Sequence, residues 1–228
     1  MIGILAAAVG ISSATLVWQP SHQTDTGEAY DESAVCGGIV DAAMAAAPAL
    51  QEHRVWSRGV KNLHHADSGT NTLIAHTSAL VGGRKSGYAY ELDLSNALKP
   101  LVFVGVHNNG GTKRHAVWAY VHDGDRHEAQ SRRLAALLLE EVAAATDLQD
   151  RGTHLDSSTG RNDYRCRATG KLAFYSIDEN VNAAPYRVLM EIGDLDASRE
   201  FLQDPANQKR LGEALKRGVA RFLESLPR

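Results

Sequence analysis

The run LVFVGV at residues 101–106 is apolar on both of its alternating faces. A strand of that kind has no solvent side, so it belongs inside a sheet that is covered above and below. Apolar runs near 14–19 (ATLVWQ) and at 186–193 (YRVLMEIG) make the same demand. Helical periodicity fills much of the intervening chain, at 33–50, 71–82, 87–98, 126–146 and 205–225, with a shorter helix in DASREFL. The segment 126–146 carries Leu134, Leu137, Leu138 and Val142 along one side. Lys99-Pro100 stops the segment before it, because proline disfavours helix at the preceding residue. HRVWSR (53–58), AVWAYVH (116–122) and KLAFYSI (171–177) read as further strands, and the polar stretches 59–70 and 147–170 as loops. Strands alternating with helices predict a three-layer αβα fold, a mostly parallel twisted sheet with helices on both faces.

The length, 228 residues, suits one such domain, taken as 14–228 and preceded by an apolar segment at 1–13. That segment resembles the core of a signal peptide with Ser12-Ser13-Ala14 as a cleavage site, though it lacks a basic start. It reads equally well as the lead-in to the first strand. No other stretch is suited to crossing a bilayer. A net charge of −3 gives no concentrated basic face, which argues against nucleic acid as a partner. The chain is expected to act as a monomer. Its two cysteines, Cys36 and Cys166, form no CxxC, so zinc-ribbon and thioredoxin-like chemistry are excluded. In an exported protein they would pair as a disulfide. No GxSxG elbow, P-loop or strand-following GxGxxG occurs.

In parallel sheets ligands bind beyond the carboxyl ends of the strands. Three apolar strands deliver ionisable residues there: His22 just after the first, His107 at the end of LVFVGV, and Glu191 near the end of YRVLMEIG. With Glu32 at the start of the first helix, the two histidines would make a His₂Glu set, enough to hold zinc and leave a position for water. Glu191 would then be the general base. Each residue also has a plain alternative: a hydrogen-bonded strand-end histidine, a carboxylate favoured at a helix N-terminus, a buried ion-pair partner. Two other groups hold ligand types. In HDGDRH (His122, Asp123, Asp125, His127) the Asp-Gly-Asp reads first as a turn, and HHAD (64–67) reads as a solvated loop. The arginines of 147–170, Arg161 among them, are expected to border the substrate groove.

Four stretches together resemble the zinc-dependent N-acetylmuramoyl-L-alanine amidases of the amidase-3 type. PSHQTDTG (20–27) resembles the family's P-G-H-G-G-x-D-x-G turn, and YDES carries Glu32 where the family has a glutamate ligand. VGVHNNG is similar to S-I-H-x-N, with His107 as ligand and Asn109 at the asparagine position. MEIGDLDAS is similar to V-E-x-G-F-L-S-N and carries Glu191. Ser21 and Gln23 replace glycines, Asp194 replaces an aromatic, and 59–86 looks inserted. The resemblance implies one Zn²⁺ per chain on His22, Glu32 and His107, with Glu191 as base and Asn109 and Arg161 at the substrate. The reaction would be cleavage of the amide between N-acetylmuramic acid and L-alanine of peptidoglycan, by a secreted or periplasmic enzyme at the cell wall. Two alternatives stay open: a zinc deacylase of small N-acyl amino acids, similar to N-formylglutamate amidohydrolases, and a metal-free binding module of the same fold.

Overall fold

A computed structural model describes residues 14–23, 30–55, 80–81, 84–85, 88–160 and 164–227. In chain order the elements are β1 (Thr15–Pro20), α1 (Glu32–Ala45), β2 (Gln51–Arg54), β3 (Leu80–Val81), β4 (Arg84–Lys85), α2 (Tyr88–Ala97) and β5 (Val102–Asn109). There follow β6 (Ala116–Val121), α3 (Glu128–Ala145), β7 (Gln149–Leu155), β8 (Tyr186–Asp194), α4 (Arg199–Gln203) and α5 (Pro205–Glu224). Six strands form the main sheet in the order β2-β1-β5-β8-β6-β7. Neighbours run parallel except β6 against β8. The three-layer, mostly parallel αβα expectation therefore holds.

Strand parity builds the layers. Leu16, Trp18, Val104, Val188 and Met190 face the core under α1, α3 and α5. Val17, Phe103 and Leu189 face the other side, where α2 and the segment around Ile177 cover the sheet. Asp31 starts α1 by accepting a hydrogen bond from the Ala34 N–H at 2.9 Å. The helix ends at Ala45 rather than near 50, because Pro48 keeps Ala47 out of helical backbone. α5 begins with Pro205 in its first turn, capped by Asp204. It crosses α1 at Gly212, where a Cβ would stand 2.5 Å from the Ile39 carbonyl oxygen and 2.6 Å from the Ala43 nitrogen. That crossing admits only glycine at its present spacing.

Three expectations need correction. Residues 147–170 are not one loop: 149–155 form edge strand β7, whose polar sequence hid it. KLAFYSI is not a strand. Both neighbours of β8 are already taken by β5 and β6, so Phe174 and Ile177 pack onto the sheet face instead, with a short 3₁₀ turn at 175–177. The helix expected at 71–82 includes Leu80 and Val81, which form a short strand paired with 84–85; residues 71–79 and 82 lie outside the described residues. The apolar segment 1–13 lies outside them too.

The reversal of β6 has a spatial consequence. β1, β5 and β8 end at one edge of the sheet, whereas β6 and β7 end at the opposite edge. The polar chain after β7 therefore leaves from the edge away from His107 and Glu191. Arg161 itself lies outside the described residues.

Candidate active site

His22, Glu32, His107 and Glu191 are all buried, with 2, 2, 5 and 6 % of their surface exposed. His107 lies next to Glu191 in the β5–β8 register, and by strand parity both side chains fall on the α2 face. His22 arrives beside them because the Ser21 N–H donates to the Val106 carbonyl at 2.9 Å, carrying the chain past β1 along the end of β5. From α1, Glu32 Oε1 reaches to 3.3 Å from His107 Nδ1 and accepts the Asn108 N–H at 3.2 Å. The helix-cap alternative for Glu32 fails, since exposed Asp31 does the capping and Glu32 turns inward.

Two residues at the site escaped the sequence reading. Glu91 on α2 is fully buried, and its carboxylate meets His22 Nδ1 at 3.1 and 3.3 Å. It also accepts from Gln19 Nε2 at 2.7 Å. A carboxylate on one imidazole nitrogen fixes the ring and presents the other nitrogen to a metal. Asn108 ties the region to its surroundings. Its Oδ1 accepts from the Tyr30 hydroxyl at 2.7 Å and from Cys36 Sγ at 3.4 Å, while its Nδ2 donates to the Ile192 carbonyl at 2.7 Å. Burial, with Cys36 and Glu32 beside it, pushes the Tyr30 hydroxyl well above its ordinary range, so it stays protonated as a donor. The signal for Glu91 was present in the sequence, a lone carboxylate at the helix position expected to face the sheet, but nothing local distinguishes it from a surface acid. Asn109 is half-buried at the site edge, opposite Asp194, where β8 bulges around Gly193 at φ +68°. A Cβ at Gly193 would stand 2.9 Å from that of Ser198, so the bulge requires glycine twice over.

The donor set fits zinc. Two imidazoles and a carboxylate are its usual catalytic ligands, and metal–ligand bonds of about 2.1 Å put neighbouring donors roughly 3.4 Å apart in a tetrahedron. The 3.3 Å between His107 Nδ1 and Glu32 Oε1 is close to that spacing. The HDGDRH group does not join this site. His122 and Asp123 follow β6 at the opposite edge, and Asp125 is ion-paired with Arg187. The HHAD stretch lies outside the described residues. The Cys36–Cys166 disulfide is overturned: both thiols are free and buried, Cys36 beside Asn108 and Cys166 in the chain between β7 and β8.

Buried histidines with a carboxylate, and a separate carboxylate beside them at the edge of a parallel sheet, define a metallohydrolase class of site. The chain belongs to the N-acetylmuramoyl-L-alanine amidase family, whose model matches residues 63–221. That match includes His107 and Glu191 and begins after His22 and Glu32. It is an amidase acting on peptidoglycan rather than a deacylase of small N-acyl amino acids or a binding module. Among solved structures, the fold is similar to the N-acetylmuramyl-L-alanine amidase of Mycobacterium smegmatis, at 18% identity and TM-score 0.60, covering 95% of this chain and 100% of that one. It is also similar to an amidase of Nostoc punctiforme, at 16% identity and TM-score 0.62, covering 94% and 99%. The catalytic domain of an amidase from Paenibacillus polymyxa gives 18% and 0.60, covering 93% and 99%. A search of curated proteins finds no significant sequence match.

Proposed function

We propose that His22, Glu32 and His107 hold one zinc ion per chain and that Glu191 is the general base for cleavage of the N-acetylmuramoyl–L-alanine amide. The observation that carries this reading is the buried His107–Glu32 contact at 3.3 Å with Glu191 adjacent to His107 in register. Zinc in such a site supplies a Lewis acid that acidifies water and polarises the scissile carbonyl. The remaining work falls to the protein. Glu91 and Asn108 hold His22 and Glu32 in place, and Glu191 accepts the proton of the attacking water and returns it to the departing L-alanine nitrogen. Asn109, at the exposed lip, is assigned to the substrate, and Arg161 is kept as a second candidate contact. Among the described residues no helix is long and apolar enough to span a membrane. We place the enzyme outside the cytoplasmic membrane, secreted or periplasmic, where its substrate lies, and as a monomer.

The test is purified peptidoglycan with the purified protein, reading new L-alanine amino termini. Release that depends on zinc and is lost in His107→Ala is the expected result. Turnover by a metal-stripped protein, or full zinc content in His107→Ala, overturns the assignment.

A further inference from the structure

A second set of ligand-type side chains lies at the opposite edge of the sheet. His122 just past β6, Cys166, and Asp178 after the 175–177 turn are all buried, and one donor atom from each lies within 4.8 Å of the others. They come from three separate stretches of chain. Two of those stretches belong to the excursion between β7 and β8, whose described residues otherwise form short 3₁₀ turns and an isolated bridge between Arg165 and Leu172.

The orientation of His122 is fixed. Its Nδ1 meets Asp156 Oδ2 at 2.8 Å, and Asp156 is itself held by the backbone N–H groups of Asp123 at 3.0 Å and Phe174 at 3.1 Å. This carboxylate–imidazole arrangement aims Nε2 into the cluster, as it does for histidines that bind metals. Nε2 stops 3.6 Å from Asp178 Oδ1, beyond a hydrogen bond but close to the roughly 3.4 Å edge of a tetrahedral zinc site. Among the described residues no hydrogen bond reaches that nitrogen, although His122 is 3 % exposed. Asp178 is held rigid by Asn180 on Oδ1, at 2.8 and 2.9 Å, and by the Tyr164 hydroxyl on Oδ2 at 2.7 Å. Cys166 Sγ accepts only a long contact from Asn180 Nδ2, 3.4 Å.

Asp156 and Asp178 are buried on either side of His122, while Arg187 pairs with Asp125. A metal on Nε2 would supply the positive charge these carboxylates face in place of a proton on the ring. From these observations we infer that His122, Cys166 and Asp178 form a second metal site, one for zinc, separate from the catalytic edge. A mixed nitrogen, sulfur and oxygen set selects zinc over magnesium or calcium. The ion would tie the β7–β8 excursion to the end of β6, where no sheet hydrogen bonds do so.

Cobalt(II) substitution distinguishes this site from the catalytic one, because only a thiolate ligand gives a near-ultraviolet sulfur-to-cobalt charge-transfer band. The whole protein, refolded with cobalt, is expected to bind two equivalents and to show the band. His107→Ala and Cys36→Ser should keep the band, with His107→Ala losing one equivalent. Cys166→Ser should lose the band and the other equivalent. A wild-type cobalt protein without the band overturns the site even if Cys166→Ser does not fold, whereas a single equivalent that carries the band supports it and counts against the catalytic site instead. A band that survives in Cys166→Ser, or disappears in Cys36→Ser, also overturns it.

Discussion

Replacing Glu91 should weaken zinc binding without touching a zinc ligand. Glu91 spends both carboxylate oxygens on the region behind His22, facing Nδ1 at 3.1 and 3.3 Å and accepting Gln19 Nε2 at 2.7 Å. Glu91→Gln keeps the volume and one acceptor oxygen, and Gln19 can turn its amide to meet the new one. The loss is then of charge alone, expected at about tenfold in zinc affinity, or about 1.4 kcal/mol. Glu91→Ala removes the acceptor from two buried donors and opens space behind the ring. Its cost should approach about a hundredfold in affinity, with about 1–3 kcal/mol of stability for the stranded polar groups. The assay is competition with a chromophoric chelator at fixed pH, alongside thermal melts of the metal-free proteins. Leu94→Ala, at an exposed position on the same helix, serves as the control and should change neither reading. Wild-type zinc affinity in folded Glu91→Gln and Glu91→Ala would refute the idea that this carboxylate positions His22.

Glu191→Gln should retain its zinc while peptidoglycan hydrolysis falls by about a hundredfold or more, the usual scale for losing a general base; zinc loss would make Glu191 a ligand instead. Gly212→Ala gains up to about 1 kcal/mol in helix propensity but forces α1 and α5 apart, which costs about 1–3 kcal/mol. A melting temperature lower by a few degrees is expected, and an unchanged or higher one would show that the helices separate at little cost. Burial pushes the Asp194 carboxyl up, but the Thr112 hydroxyl and the Ala197, Asp196 and Thr112 N–H donors outweigh it and hold the group below its usual range. The stabilisation of wild type over Asp194→Asn should therefore be complete above the unfolded value of about 3.9 and fade as pH falls through the lower folded value. Urea unfolding at pH 7 and pH 3 measures it, and a gap that does not shrink would rule out the charged form as its source.

The sheet was legible because strands buried on both faces leave little choice of architecture, and the burial of His22, His107 and Glu191 was legible because each such strand ended in a residue too costly to bury idly. β7 was not legible, since an edge strand with solvent on either side has no apolar alternation to betray it. KLAFYSI misled for the opposite reason: its apolar residues are buried, but against a sheet face, and sequence pattern does not distinguish lying on a sheet from lying in it. Glu91 and Asp156 act through partners 69 and 34 residues away, and no local pattern encodes such pairings.

The direction of β6 also decides how changes in this enzyme combine. Glu191 and Arg187 sit on one strand, four residues and about 13 Å apart. That separation exceeds the 7–10 Å within which substitutions usually influence one another. Alterations around Arg187 and its partner Asp125 should therefore add to alterations around Glu191 rather than compound them. The two ends of β8 thus answer to different neighbours, and substitutions at the Arg187 end and at the Glu191 end can be selected independently.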